Sequence, residues 1–238
     1  MTTVSFIGAG NIGGTVAKLA VAAGHDVLVS NSRGPETLGD VVADLGGRAK
    51  AVTAAEAAAG ADLVVLSIPL KAVPDLPEEV REALAGRVVI DTSNYYPKQR
   101  DGQIAALDEK RTTTTGLVAE HLPGARVVKA FNNIFWGHLR DLARPATDAG
   151  SSERSALAIA GDDEAAKAAA SEFIASIGYD VLDTGALADS GRFEPGTPAY
   201  GLPYAVHPEA FAGGEGDLTL SQRVSVETLR EAVEAGRA

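Results

Sequence analysis

The first thirty-three residues confine this chain to one kind of architecture. Val4 to Ile7 is a short apolar run, and Gly8-Ala9-Gly10-Asn11-Ile12-Gly13 follows at once. Thr15 to Ala23 then reads as helix, and a second apolar run covers Asp26 to Ser30. With 26 glycines in the chain, G-x-G-x-x-G spacing alone carries little weight. Between a strand and a helix, inside a βαβ-length unit, it carries much more. Gly8 allows the tight turn out of the strand, Gly10 lets the backbone approach a pyrophosphate, and Gly13 lets the helix pack closely on the strand. The free N–H groups and positive dipole end of that helix would face the phosphates. The bland alternative is a glycine-rich strand-to-helix turn without a ligand.

The second strand ends where a dinucleotide site meets the adenosine ribose. An NAD site puts Asp or Glu there, to accept from the ribose 2′-OH. Here the position holds Asn31, then Ser32 and Arg33, and no carboxylate appears until Glu36. An acid would repel a 2′-phosphate, whereas amide, hydroxyl and guanidinium groups would bind it. A charge-assisted hydrogen bond contributes about 1.5–3 kcal/mol, so Arg33 alone favours the phosphorylated cofactor by about ten- to a hundredfold. NADP(H) is the expected cofactor; the competing reading is a solvated arginine in a surface loop.

Composition excludes several other classes. The chain has no cysteine, hence no disulfide, thiolate metal site or Cys nucleophile. That fits a reducing cytoplasm. A net charge of −11 disfavours nucleic acid and anionic membranes as partners. No apolar run reaches the roughly 18 residues of a membrane span, and the N-terminus enters a strand with no basic n-region, so no signal peptide is expected. The four histidines are scattered without metal-ligand spacing, so no metal is expected. His25, in a Gly-His-Asp turn, reads as structural.

Apolar runs at Leu63–Ile68, Val88–Asp91, Val127–Phe131 and Leu157–Ala160 read as buried parallel strands. Shorter strands are expected at Ala49–Val52 and Tyr179–Leu182. Helical segments lie at Gly34–Leu45, Ala54–Ala59, Leu70–Leu84 and Asp163–Ile177, with the Asp162-Asp163 pair read as capping. The expected fold is α/β: a Rossmann-like, doubly wound, mostly parallel sheet with a small C-terminal extension. The division expected is an NADP-binding domain over 1–185 and a C-terminal arm, or small substrate or dimerisation region, over 186–238. A Pro/Ala/Gly/Ser segment from Arg144 to Arg154 and a glycine-rich turn after residue 208 read as loops.

Ligands of open α/β sheets bind at strand C-termini, which singles out three loops. In Ser67-Ile68-Pro69-Leu70, Pro69 stops the ladder and would present Ile68 and Leu70 against an adenine or nicotinamide face, with Ile68 and Pro69 counted among the cofactor-binding residues. Asp91-Thr92-Ser93-Asn94-Tyr95-Tyr96-Pro97 offers Asn94 to orient a carboxamide and two tyrosines to stack. The third, Lys129-Ala130-Phe131-Asn132-Asn133-Ile134-Phe135-Trp136, has paired amides beside aromatics and suits a planar, heteroatom-rich substrate. Each has a bland alternative: a strand-to-helix junction, an Asx turn, and core or dimer contacts for Phe135 and Trp136.

These blocks resemble the F420H2:NADP oxidoreductase family, the NADPH-dependent reductases of the deazaflavin coenzyme F420. The resemblance covers residues 1–204. It rests on the glycine loop, Asn31-Ser32-Arg33-Gly34-Pro35, Lys129-Ala130-Phe131-Asn132, Ala160-Gly161-Asp162-Asp163 and Asp183-Thr184-Gly185-Ala186-Leu187. The NADPH-binding domain of six-transmembrane metalloreductases, which uses a flavin, is similar at the same blocks. The resemblance implies that Gly8, Gly10, Asn11, Ile12 and Gly13 hold pyrophosphate and that Asn31, Ser32 and Arg33 hold the 2′-phosphate. It also implies that Phe131, Asn132 and Asn133 line the deazaflavin side, and that the chain is a homodimer. Direct hydride transfer needs stacking and close C-to-C approach but little acid–base help. No catalytic side chain is therefore assigned; Lys129 and Arg192 are candidates for the acidic parts of F420. Two alternatives stay open. One is an NADPH-dependent reductase of a flavin, imine or carbonyl compound, with Tyr95, Tyr96, Tyr200 or His138 as proton donor. The other is a non-catalytic NADPH-sensing protein.

Overall fold

A computed structural model describes residues 2–144, 153–209 and 219–236. The loop read between Arg144 and Arg154 falls mostly on 145–152, and the glycine-rich turn on 210–218; both lie outside the described residues. Eight strands form the sheet: β1 (Thr3–Ile7), β2 (Asp26–Ser30), β3 (Ala49–Ala51), β4 (Leu63–Leu66), β5 (Val88–Asp91), β6 (Arg126–Lys129), β7 (Ala156–Gly161) and β8 (Asp180–Asp183). Their order is β3-β2-β1-β4-β5-β6-β7-β8. The order reverses between β1 and β4, which places the switch point beside the glycine loop. The helices are α1 (Asn11–Ala22), α2 (Gly39–Leu45), α3 (Ala54–Ala59), α4 (Glu78–Leu84), α5 (Ala105–Asp108), α6 (Thr114–His121), α7 (Trp136–Asp141), α8 (Glu164–Ser176) and α9 (Val226–Ala235).

The strands are apolar on both faces because each face is covered by helices. Val4, Phe6, Val65, Ile90 and Val128 join a core with α1 and α8, while Ile7, Val64, Leu66, Val89 and Val127 join a second core with α3, α4 and α6. The Rossmann-like α/β fold expected from the sequence is the fold observed. α8 carries its expected cap, with Asp163 Oδ1 accepting from Ala166 N at 2.7 Å.

Three expectations need correction. β7 does not run parallel to β6; it pairs antiparallel, with Lys129 opposite Ala160. Between β6 and Arg144 the chain makes the six-residue α7, and Arg144 N bonds to Gly178 O, just ahead of β8. The chain has not crossed back under the sheet, so β7 and β8 enter from the end where β6 finishes. Next, the helix read across Leu70–Leu84 is a 3-10 turn at Leu70–Ala72 followed by α4 alone. Pro74 and Pro77 deny the intervening turn its N–H donors and disfavour α geometry in the residues before them. Finally, the helix read over Gly34–Leu45 is split into a 3-10 turn, Pro35–Leu38, and α2.

The late segments pack on the β7 side of the sheet. Phe193, Tyr204, Val224, Leu229 and Val233 are buried in the same core as α1 and α8. Tyr204 donates to Ala156 O at 2.8 Å and accepts from Asn133 Nδ2 at 3.4 Å. Tyr204→Phe should therefore destabilise the chain by about 1–3 kcal/mol, read as a lower denaturant midpoint with an unchanged slope.

At the N-terminal ends of β1 and β2, His25 bridges Thr2 Oγ1 (2.9 Å) and Ser176 Oγ (2.8 Å) and lies edge-on to Phe173. Burial pushes its pKa below the usual value of 6.5. Its neutral form is the one the fold accepts, so its contribution is complete above pH 6.5 and falls as pH drops below that value. His25→Gln should flatten the loss of thermal stability seen on acidification from pH 7, measured by parallel melts of the two proteins.

Candidate functional site

The three motif glycines do different work. A Cβ on Gly8 would lie 2.2 Å from Ser67 O, and one on Gly13 would lie 2.2 Å from Gly8 O. Packing alone demands glycine at both. A Cβ on Gly10 would meet nothing within 4 Å, so the protein itself does not explain that residue. Gly10 caps α1 without a side-chain hydrogen bond, and the first turn of α1 holds no acid. A helix start of this kind leaves N–H donors and a positive dipole end for an external anion.

The loop after β2 lies beside it, since Gly8 N bonds to Ser30 O at 3.0 Å. Asn31 spends both ends of its amide on this loop: Oδ1 accepts from Arg33 N (2.9 Å) and Nδ2 donates to Thr37 Oγ1 (2.9 Å). Gly34, at φ +101°, completes the turn. Ser32 and Arg33 are exposed. The loop is thus held by Asn31 and presents the hydroxyl and guanidinium.

A cleft of about 410 Å³ opens above the C-terminal ends of β1, β4, β5 and β6. Gly10, Asn11, Ile12, Ile68, Pro69, Asn94 and Asn132 all line it, so residues expected from four separate loops share one space. The opposite wall is Tyr96, Arg100, Phe135, Trp136 and Tyr200. Tyr200 reaches it from the late part of the chain because Gly201 N bonds to Asn133 O at 2.9 Å and Asn133 Nδ2 bonds to Ala199 O at 3.2 Å.

Arg100 was not anticipated. Its guanidinium lies 5.0 Å from the Tyr96 ring centroid and donates to Asn94 O at 2.6 Å. Asp101 holds it through two hydrogen bonds, at 2.9 and 3.0 Å. Burial opposes the charge on Asp101, but the Arg100 hydrogen bond and the Tyr96 amide hold its carboxyl below the usual range. The only sequence signal for Arg100 is a cation soon after a strand C-terminus.

Beneath the cleft lies a buried ionic cluster. Lys129 Nζ donates to Ser93 O (2.7 Å) and Glu194 Oε1 (3.3 Å), with Asp91 Oδ2 at 3.8 Å. Asp91 accepts from Ser93 N, Ser93 Oγ and Thr115 Oγ1 at 2.9, 3.0 and 2.6 Å. Glu194 also accepts from Thr114 N at 2.9 Å, at the start of α6. An amide stitch runs alongside: Asn94 Nδ2 donates to Asn132 O (2.8 Å), while Asn132 Nδ2 donates to Asn94 Oδ1 (3.1 Å) and Phe193 O (2.9 Å).

Several expected site residues turn away from the cleft. Phe131 is buried in the core, edge-on to Phe173, with its backbone at φ +62°. Asn133 is buried and occupied with the 199–204 turn. Lys129 is fully buried, so it presents no charge to a ligand in the cleft. Arg192 pairs with Asp189 and faces a separate, larger groove, as does Tyr95. Tyr95 instead donates to Asp108 Oδ1 at 2.9 Å. His138 is buried. Sequence spacing shows which loops meet at the sheet edge, but not which side of each loop faces out. Among the described residues no cluster of metal-ligating side chains occurs, and no helix is long and apolar enough to cross a membrane.

Comparison with known proteins agrees with this geometry. Residues 3–95 match the family model described as "NADP oxidoreductase coenzyme F420-dependent". No curated protein matches the chain. A hypothetical protein of Sinorhizobium meliloti is 31% identical, with a TM-score of 0.71, over 94% of this chain and 97% of its own. A candidate F420-dependent NADP-reductase of Arthrobacter sp. FB24 shares the fold at 23% identity and a TM-score of 0.63, over 80% of this chain and 87% of its own. So does a pyrroline-5-carboxylate reductase of Coxiella burnetii, at 19% identity and a TM-score of 0.57, over 98% of this chain and 76% of its own. A glycine loop fixed by packing at Gly8 and Gly13 and open at Gly10, an acid-free Asn31–Arg33 turn after β2, and these matches lead to one conclusion: the chain belongs to the NADP oxidoreductase family described as coenzyme F420-dependent.

Proposed function

We propose that the cleft is a hydride-transfer site that pairs NADPH with a planar, conjugated acceptor, and that this acceptor is a deazaflavin of the coenzyme F420 type. The observation that carries the proposal is the make-up of the cleft. One wall is the open helix start at Gly10–Ile12; the other is aromatic, with Tyr96, Phe135 and Trp136.

The residues present suit NADPH. Gly10 leaves room that no protein atom fills, and the uncapped start of α1 favours a pyrophosphate. Ser32 and Arg33 suit a 2′-phosphate, on a turn set by Asn31. Ala9 lies between two glycines of the loop, and Ile68, Pro69 and Asn94 border the space where a nicotinamide would lie. Asn132 Oδ1 is buried with no hydrogen-bond partner among the described residues, so it suits an N–H donor of a ligand.

Bound NADPH supplies the hydride. The protein's part is to stack the acceptor on the aromatic wall, exclude water, and bring the reacting carbons to about 3–3.5 Å. Arg100 is the cation available to the electron-rich edge of a reduced heterocycle. A second reading, reduction of an imine or carbonyl compound, is favoured by the two phenols, Tyr96 and Tyr200, that reach the same space. Membership of an oxidoreductase family favours turnover over simple NADPH sensing.

Incubation with NADPH and, separately, F420, FMN and 1-pyrroline tests the assignment. The fastest NADPH oxidation is expected with F420, with concurrent loss of the deazaflavin absorbance. Turnover with FMN or the imine and none with F420 would remove the deazaflavin reading. Arg33→Ala should raise KM for NADPH about ten- to a hundredfold, the loss of one charge-assisted hydrogen bond, and leave KM for NADH nearly unchanged. Equal effects on the two would show that Arg33 does not read the 2′-phosphate.

A further inference from the structure

Tyr96 and Tyr200 meet in the cleft from positions 104 residues apart, with their hydroxyls in hydrogen-bond contact. Proton counting makes this contact informative. Each phenol has one proton to donate, and the single O···O contact uses one of the two. Asn94 Nδ2 approaches the Tyr96 oxygen at 3.3 Å as a donor, so it consumes no phenolic proton. No other acceptor contacts either hydroxyl among the described residues. One phenolic proton is therefore left over, in a cleft also lined by Asn94, Asn132, the Arg100 guanidinium and the rings of Phe135 and Trp136.

The surroundings separate the two phenols. Arg100, held by Asp101, lies over the Tyr96 ring, its guanidinium 5.0 Å from the ring centroid. Burial, then the neighbouring Tyr96, push the Tyr200 pKa well above the ordinary value. Tyr200 also keeps part of its surface toward solvent. The turn that carries it is pinned through Asn133, so the contact is fixed by the fold.

We infer that Tyr96 is a catalytic proton donor and that Tyr200 is the positioning residue that restores its proton. The inference rests on the hydride-transfer reading above and adds to it the fate of the electron pair. Hydride from the nicotinamide forms a C–H bond at the acceptor carbon, and NADPH is oxidised. The π bond between that carbon, or its conjugated system, and a nitrogen or oxygen breaks toward the heteroatom. That atom takes the proton of Tyr96, which becomes a phenolate facing Arg100. Tyr200 passes its proton across the O···O contact and is reprotonated from solvent. The acceptor gains one hydride and one proton in all. This limits the acceptor to compounds with a heteroatom in conjugation with the reacting carbon, and it makes Tyr96 the group that touches it.

The test uses the full chain with NADPH and each of F420, FMN and 1-pyrroline, comparing wild type with Tyr96→Phe and Tyr200→Phe. NADPH binding is read separately by energy transfer from Trp136, the one tryptophan of the chain, which lines the cleft. With the acceptor that wild type reduces, Tyr96→Phe should lower kcat about a hundredfold or more, the usual scale of a lost general acid, with NADPH affinity within twofold. Tyr200→Phe should lower kcat less, and added imidazole buffer should restore it while leaving wild type unaffected. A purely structural tyrosine would not respond to buffer in this way. The inference is overturned if Tyr96→Phe retains kcat within threefold of wild type, if the loss matches an equal loss of NADPH affinity, or if imidazole has no effect on Tyr200→Phe. If wild type reduces none of the three acceptors, the hydride-transfer reading itself falls and takes the dyad with it.

Discussion

Much of the cleft depends on one buried ammonium group. Among the described residues Lys129 is the only cation paired with Asp91 and Glu194, two carboxylates that belong to β5 and to the turn after a late 3-10 segment. Without it those two negative charges would share a low-dielectric space, and breaking a buried pair of this kind costs about 3–5 kcal/mol. Lys129 also carries a positional load. By donating to Ser93 O it fixes the β5 loop that presents Asn94, and by pairing with Glu194 it brings Phe193 O within reach of Asn132. The floor of the cleft and the segment that delivers Tyr200 are joined at this point.

The cluster also explains why the loop after β5 is both polar and rigid. Asp91 uses both carboxylate oxygens, three times over, on Ser93 and Thr115. Arg100 is held by Asp101 and reaches back to Asn94 O. Long connections in compact domains are commonly functional or mobile; in 97–115 Arg100 pairs with Asp101, Arg111 with Glu109, and Asp108 accepts from Tyr95.

The parts of the architecture that depend on local chemistry were legible in the sequence. The continuous apolar runs of β1, β4 and β5, buried on both faces, the Asp163 cap of α8 and the glycine loop all follow from neighbours within a few residues. The direction of β7 was not legible, because it depends on where the chain stands after α7, which no periodicity encodes. The short α4 was legible in principle from Pro74 and Pro77, but the apolar spacing of Leu70–Leu84 masked them. At the site the division is the same. Gly10, Ile68 and Asn94 lie on the expected loops and face the cleft. Phe131 and Asn133 lie on the expected loop and face away, because its backbone turns at φ +62° and sends the ring into the core. Arg100 and the contact between Tyr96 and Tyr200 depend on pairings across the fold.

This division has a bearing on specificity. The family match runs from residue 3 to residue 95 and so covers the glycine loop, the ribose corner and the Ile68 and Asn94 loops. It ends one residue before Tyr96. Every side chain of the wall opposite the helix start (Tyr96, Arg100, Phe135, Trp136 and Tyr200) lies beyond that limit. The half of the cleft suited to a dinucleotide is thus built from short-range, widely shared geometry. The half that meets the acceptor is assembled from three distant stretches held by Lys129, Asn132 and Asn133. A cofactor site of this kind tolerates little change, because Gly8 and Gly13 are fixed by backbone clashes of 2.2 Å. The proposed acceptor wall lies outside the strands: Trp136 opens α7, Arg100 sits in the turn Pro97–Asp101, and the others are on connections. Acceptor chemistry can therefore diverge within the family while the dinucleotide half stays constant, and the phenol pair and Arg100 are where this chain's own chemistry is written.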